Sequence, residues 1–189
     1  LADTSETERR LMERDALTKI SQAVTQSTED LGAFFGELHT QVRANIGDHA
    51  FVVALYDADH AAISIPYAYQ EGRIEKIDSF PLGEGLTSIL IRTGQPLLLA
   101  DDVERRAQRL GARTVGRPAR SWMGAPLVID GKPIGALIIQ DLERERSFDD
   151  RSLGFLVELA AQVATVVNTA RLLDQSRRHA YQLETAAEI

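Results

Sequence analysis

The sequence predicts an α+β fold in which terminal helices flank a central antiparallel sheet of about six strands. Apolar residues repeat at helical spacing near both ends of the chain, whereas the middle contains short apolar runs typical of strands. Asp130-Gly131 separates two of these runs and predicts a tight hairpin, because both turn residues tolerate a positive φ. Helices before and after a strand-rich middle are typical of helices packed on an antiparallel sheet.

The first part of the chain predicts two helices and then three strands. Residues 5–28 carry apolar side chains on a polar background, and Phe35, Leu38 and Val42 form the stripe of a second helix near residues 31–46. Shorter apolar runs, which turn residues separate, predict strands at 51–56, 62–70 and 74–80.

The middle of the chain predicts two short helices and three further strands. The turn Gly83-Glu84-Gly85 precedes a helix that starts near Leu86, and Asp102 is expected to cap a second short helix over residues 103–112. The remaining apolar runs predict strands at 96–100, 122–129 and 134–140.

The last helix is expected to run from about residue 148 to the end, with Ser147 and Asp150 as a weak capping box. A helix of about 40 residues spans about 60 Å, so its end must project from a small domain or pack on a partner. We therefore divide the chain into an N-terminal helix (1–28), a core domain (29–170) and a C-terminal extension of the last helix (171–189).

Composition narrows the class of protein. The net charge of −7 argues against a general nucleic-acid surface, because phosphate contacts need clustered cations. The 189 residues include no cysteine, so disulfides, thiolate ligands and cysteine nucleophiles are excluded within them. No signal peptide and no apolar run of about 20 residues are evident, which predicts a cytoplasmic segment without membrane insertion. The chain lacks an initiator Met and is expected to be a segment of a longer protein.

The residue pattern contains no catalytic or metal-binding signature. His39, His49, His60 and His179 are scattered and are expected on the surface, and no nucleophile lies at a characteristic spacing from a base. We therefore expect neither an enzyme, nor a metal site, nor a cofactor.

The series GEGLTSILIRTGQPLLLADD, a basic stretch and SWMGAPLVIDGKPIGALIIQD resembles the GAF domain, the small-molecule sensing module of bacterial signal-transduction proteins, cyclic-nucleotide phosphodiesterases and phytochromes. The resemblance covers about residues 30–170. It implies a GAF/PAS-like fold with the terminal helices on one face of the sheet, and with short helices and a ligand pocket on the other. The absence of cysteine removes the thiol-dependent sulfoxide reductase branch and a thioether-linked bilin.

Eight residues are candidates for ligand binding. The glycine turn at Glu84 exposes helix N–H groups to an anion, Asp101 could accept a hydrogen bond from a ligand amine, and Trp122 could stack on a flat ligand. The basic stretch 104–120 is either a solvated surface or a lid over an anionic ligand. The aromatic residues could equally belong to the core. The complete set is Phe51, Tyr67, Phe80, Glu84, Leu86, Asp101, Arg117 and Trp122.

The resemblance implies a sensory module of a multidomain signalling protein, for example a histidine kinase of a two-component system. A small molecule would bind, and the change would pass through terminal helices to a covalently attached output domain. Residual apolar faces at 11–24 and 163–187 predict a homodimer that buries them. The alternative is a ligand-free GAF domain that serves as a structural dimerisation spacer.

Overall fold

The computed structural model describes the backbone of residues 30–113 and 117–187, and the side chains of residues 31–113 and 117–179. The helix predicted over residues 5–28 lies outside the described residues. The described chain divides into two compact units. One unit is Phe35–Thr165, and the other comprises the described flanking stretches 30–34 and 166–187.

Seven strands form one antiparallel sheet in the order β3-β2-β1-β7-β6-β5, and β4 also pairs with β2. This confirms the predicted α+β class. The predicted strand 74–80 is two strands, because the Glu75 N–H makes the last bond in the first register, to the Ala68 carbonyl, and pairing with the same neighbouring strand resumes only at Ile77, with an irregular register. The strands are β1 Ala50–Asp57, β2 Ala62–Gln70, β3 Arg73–Ile74, β4 Ile77–Pro81, β5 Leu97–Leu99, β6 Ser121–Ile129 and β7 Lys132–Asp141.

The β6–β7 hairpin turns at Asp130-Gly131, as the sequence predicts. The two residues have φ of 49° and 74°, so both occupy the left-handed region that this dipeptide favours. The hairpin lays β6 beside β7 in the centre of the sheet.

The described residues contain four helices, and the short ones border one face of the sheet. They are α1 Asp30–Asn45, α2 Leu86–Thr93, α3 Val103–Arg109 and α4 Asp150–Ala187. α3 is shorter than predicted, because the chain turns through Gly111 at a φ of 76°. The expected side-chain cap at Asp102 is wrong, since Asp102 adopts a left-handed conformation and its carboxylate pairs with Arg105.

The start of α4 is capped by Asp149 and not by the predicted Ser147–Asp150 box. Asp149 Oδ1 accepts hydrogen bonds from the Ser152 N–H at 2.8 Å and from the Ser152 hydroxyl at 2.9 Å. The Ser147 hydroxyl instead donates to Asp141 Oδ2 at 2.7 Å. Asp149 lies directly before the first helical residue, where a carboxylate reaches the free N–H groups of the first turn.

Both faces of the sheet are covered. Because side chains alternate along each strand, Ala54 and Phe51 of β1 point to opposite sides. Ala54 belongs to a buried cluster with α2 and α3, whereas Phe51 stacks on His39 of α1. α1 and α4 also bury stripes at three- and four-residue spacing, namely Phe35, Leu38, Val42, Leu156, Leu159, Ala160 and Val163.

α4 has about the predicted length but is more apolar than the sequence analysis allowed. Its segment Asp150–His179 could cross a membrane by length and composition alone, which corrects the expectation that no apolar run approaches that length. Leu156 and Val163 within this segment are fully buried in the protein. The core helix of a globular domain passes the same test, so the finding is weak evidence for a membrane span.

Candidate functional site

The face of the sheet beneath α2 and α3 carries a continuous apolar cluster. Trp122 of β6 is only 4% exposed and packs there with side chains of both helices. Gly124 leaves the space that Leu90 and Trp122 occupy, because a Cβ at Gly124 would lie 2.4 Å from Leu90 Cδ1 and 2.8 Å from Trp122 Cη2. The apolar cluster comprises Ala54, Ile63, Leu90, Ile91, Leu99, Val103, Ala107, Ala112, Ala119, Trp122, Ala136 and Ile138.

The chain between α3 and β6 is tied by ion pairs to two distant turns. We call its described residues, 111–113 and 117–120, the closing segment. Arg113 Nε lies 3.5 Å from Glu84 Oε2, and the backbone N–H of Arg113 donates to the backbone carbonyl of Glu84 at 2.9 Å. Arg117 Nη1 donates to Glu71 Oε1 at 2.9 Å. Both ion pairs are exposed, so each contributes about 0–1 kcal/mol.

Asp101 lies between β5 and α3 and accepts hydrogen bonds from two arginines. Arg106 Nη1 donates to Oδ1 at 3.1 Å, and Arg146 Nε donates to Oδ2 at 2.9 Å. The bond from Arg146, with a smaller contribution from Arg106, holds the pKa of Asp101 below its ordinary value. Both carboxylate oxygens are therefore already engaged by the protein.

The structure does not bring the eight candidate residues together in one pocket. Phe51 and Tyr67 lie on the α1 face of the sheet, whereas Leu86 and Trp122 belong to the opposite face. The grouping of Phe51 and Tyr67 with Trp122 is therefore corrected, because strand alternation separates them. Phe80 is 36% exposed on β4, and Glu84, Asp101 and Arg117 form the ion pairs described above. Ligand binding by any of these residues stays a prediction.

The glycine turn before α2 is closed by a buried serine. Gly83 N–H donates to the Ser88 hydroxyl at 3.0 Å, and the Ser88 residue is 2% exposed. Gly85 has an extended backbone with a φ of −74°, so the positive φ that glycine permits is not used there. Anion binding at this turn stays a prediction.

His39 forms a buried aromatic group that the sequence analysis missed. Its ring lies 5.5 Å from that of Phe51 and 4.2 Å from that of Tyr69, and Nδ1 is 3.0 Å from the Tyr67 hydroxyl. Burial, assisted by Arg43, lowers the pKa of His39 and favours the neutral imidazole. The expectation of a surface histidine is wrong here, because His39 is 5% exposed. Its Nε2 is buried without a hydrogen-bond partner.

A cleft of about 210 Å³ opens at the end of the sheet where β1 begins and β7 ends. Within it His49 Nδ1 lies 3.4 Å from Asp141 Oδ2, and both side chains are more than nine-tenths buried, so the surface placement of His49 is also wrong. Burial alone would raise the pKa of Asp141, but hydrogen bonds from the Ser147 hydroxyl and from the N–H groups of Glu143 and Arg144 lower it to about 2. The carboxylate therefore anchors the β7–α4 loop.

Among residues 30–113 and 117–187, no group of three or more His, Cys, Asp or Glu side chains could hold a metal ion. The two buried histidines contact aromatic rings and a carboxylate that the loop already engages. Ala112 and Ala119 of the closing segment belong to the apolar cluster, so the segment packs against it.

Several solved structures share this fold. A GAF domain from an Acinetobacter phosphoenolpyruvate-protein phosphotransferase is 21% identical with a TM-score of 0.64, and the match covers 85% of this chain and 95% of that one. The free methionine-R-sulfoxide reductase of Neisseria meningitidis, in complex with its substrate, is 22% identical with a TM-score of 0.63, over 85% and 90% of the two chains. Residues 122 to 287 of a methyl-accepting chemotaxis protein are 17% identical with a TM-score of 0.54, over 70% and 85%. At these identities the likenesses establish the fold.

The family assignment comes from the sequence itself. The profile of the GAF domain matches residues 20–168, which is well over half of the chain. The match includes all seven strands, both short helices and the first turns of α4. This chain belongs to the GAF domain family.

Proposed function

We propose that the chain is the sensory module of a multidomain signalling protein and binds a small molecule in the apolar cluster beneath α2 and α3. The observation that supports this is the closing segment, which is attached to Glu84 and Glu71 through exposed ion pairs. Exposed pairs are worth little individually, so release of the segment costs mainly the backbone bond from Arg113 to Glu84 and the burial of two small side chains, Ala112 and Ala119. The proposed ligand has a flat apolar part, which would contact Trp122, and an anionic group that Arg113 and Arg117 would bind.

The proposed output path is α4. The helix continues without interruption from Asp150 to Ala187, and Leu172 and Leu173 on it are 57% and 39% exposed. Burying these side chains against a second copy would contribute about 25 cal/mol per Å² of apolar area. We therefore propose a homodimer through the terminal helices, with a covalently attached output domain such as that of a histidine kinase, on the cytoplasmic side. We propose no catalytic activity for this segment.

A second candidate function, the ligand-free dimerisation spacer, has its own support. Trp122 and Leu90 are 4% and 0% exposed, so large side chains already fill the centre of the apolar cluster. A spacer needs a packed cluster, whereas a sensor needs side chains that move when a ligand enters.

Native mass spectrometry of the purified chain, followed by the same sample under denaturing conditions, distinguishes the two functions. Extra mass that is lost on denaturation supports the sensor and identifies the ligand by its mass. If the native mass is that of the bare polypeptide, the sample is titrated with nucleotides, amino acids and aromatic carboxylates while Trp122 fluorescence is recorded. Trp122 is the single tryptophan, so its emission reports on the apolar cluster alone. Constant emission throughout that titration would favour the spacer.

The proposed dimer is tested by light scattering on two matched variants. Leu172→Asp with Leu173→Asp places charges on the exposed apolar positions, and we expect it to give a monomer at micromolar concentration. Arg178→Asp changes the net charge by the same two units at an exposed position on the opposite side of α4, and it should leave the dimer intact. A monomeric wild type, or equal behaviour of the two variants, would contradict an interface at these leucines.

A further inference from the structure

One carboxylate joins the apolar cluster side of the fold to the start of α4. Asp101 Oδ1 accepts from Arg106, which belongs to α3, and Oδ2 accepts from Arg146, which belongs to the β7–α4 loop. Arg146 also places Nη2 2.9 Å from the same Oδ2. The sequence separation between Asp101 and Arg146 is 45 residues, so this contact links elements that are distant along the chain.

The backbone reinforces the same junction. The Arg146 N–H donates to the Ala100 carbonyl at 2.6 Å, directly beside Asp101. Arg146 has a φ of 56°, a left-handed conformation that costs a non-glycine residue about 1–2 kcal/mol. A residue keeps such a conformation when surrounding contacts over-determine it. Arg146 stands three positions before Asp149, the cap of α4, so Ala100 and Asp101 contact the chain close to the start of the helix.

We infer that Asp101 is a positioning residue that couples α3 to the start of α4, through hydrogen bonds to Arg106 on one side and to Arg146 on the other. The inference rests on the proposed sensor function for its purpose, since α3 borders the proposed ligand site. A ligand that displaces α3 would pull Asp101, and Arg146 would transmit the displacement to the capped end of α4. Coupling between two elements is reciprocal, so a change at α4 must also alter α3.

Neighbouring arginines provide matched controls. Arg105 pairs with Asp102 three residues earlier, and Arg144 pairs with Asp141 three residues earlier. Each of these pairs is local to one segment, so neither joins α3 to the β7–α4 loop. Arg105→Gln and Arg144→Gln therefore remove one surface charge each without breaking the connection through Asp101.

The test is hydrogen exchange on the whole chain, read at amides on the far side of each substitution. Arg106→Gln should speed exchange of the Arg146 amide and of residues 142–153 by about two- to fivefold, as expected for loss of a partly exposed ion pair. Arg105→Gln should leave these amides at the wild-type rate. Conversely, Arg146→Gln should speed exchange across 103–109, and Arg144→Gln should not.

Asp101→Asn supplies a second, independent variant, which should produce both effects in one protein. Urea denaturation, followed by Trp122 fluorescence, checks that every variant is folded. If residues 142–153 exchange at the wild-type rate in Arg106→Gln, the inference is overturned. The same holds if Arg105→Gln speeds their exchange as much as Arg106→Gln does. These measurements use no ligand, so a bare polypeptide mass together with constant Trp122 emission in the ligand titration would remove the sensor function and leave the coupling standing. Conversely, if the exchange experiment shows no coupling, the mass of any ligand found in native mass spectrometry still supports the sensor function.

Discussion

Replacing Asp141 with Asn should destabilise the protein by about 2 kcal/mol at pH 7. The carboxyl pKa falls from 3.8 to about 2 in the folded protein, and each unit of pKa corresponds to about 1.4 kcal/mol. Asn keeps an oxygen for the N–H groups of Glu143 and Arg144, but it removes the charge and places an NH₂ or a neutral oxygen opposite Ser147. The loop that leads to α4 then loses its charged acceptor, which the protein holds 7% exposed.

The sign of the pH dependence follows from the lowered pKa. The unfolded chain binds a proton more readily than the folded one, so the stabilisation is complete above about pH 4 and is lost as the pH falls toward 2. The assay is urea unfolding of wild type and Asp141→Asn at pH 7 and pH 3, followed by Trp122 fluorescence. The difference in unfolding free energy should fall to about half at pH 3.

The control for this variant is Asp130→Asn, an exposed carboxylate in the β6–β7 turn. Asn tolerates the left-handed backbone there, so its stability should stay within about 0.5 kcal/mol of wild type. A difference between Asp141→Asn and wild type below 0.5 kcal/mol at pH 7, or one that is the same at both pH values, would refute the account of Asp141 as a charged anchor.

Three further predictions concern packing and titration. Gly124→Ala should destabilise the protein by about 1–3 kcal/mol in urea unfolding, because the added Cβ would overlap the buried Leu90 side chain. An unfolding midpoint equal to that of the wild type would show that the apolar cluster is loosely packed. Gly154→Ala should stabilise the protein by about 0.5–1 kcal/mol, because Gly154 lies on the exposed side of α4 and the added Cβ has no atom within 4 Å. A loss of stability would count against a helix at this position. His39 has a lowered pKa, so the unfolded chain binds its proton first and stability falls as the pH drops below about 6.5. His39→Phe should therefore lose less thermal stability than wild type between pH 7.5 and 5.5, and an equal loss would assign the effect to other groups.

Most of the fold follows from local sequence signals. The predicted strand 62–70 coincides with β2, and the Asp130-Gly131 hairpin turns where expected, because turn chemistry and strand alternation act over short distances. The strand over 74–80 was predicted as one element, since its apolar pattern does not reveal that the pairing register breaks after Glu75.

The candidate site was less predictable, because it depends on which face of a strand each residue occupies. Phe51 and Trp122 are both aromatic strand residues, yet they lie on opposite faces of the sheet. His39 carried a usable signal, since it lies four residues after Phe35 and three before Val42 on the buried stripe of α1. The contact of Asp101 with Arg146 carried none, because the two residues are 45 positions apart in the sequence.

The energetic balance decides which step would limit entry of a ligand into the apolar cluster. Releasing the closing segment breaks the exposed Arg113–Glu84 and Arg117–Glu71 pairs, which together cost about 0–2 kcal/mol. It also breaks the hydrogen bond from the Arg113 N–H to the Glu84 carbonyl, which costs about 0.5–1.5 kcal/mol. Moving a fully buried Leu or Phe-sized side chain into water costs about 1.5–3 kcal/mol, and Trp122 is larger still. The filled cluster, and not the closing segment, is therefore the greater barrier.

Salt distinguishes the two costs, since it screens exposed ion pairs and leaves apolar burial intact. If the rate of Trp122 quenching by acrylamide rises only slightly between 0.05 and 0.5 M NaCl, the cluster limits access. A large rise would mean that the ion pairs of the closing segment control it.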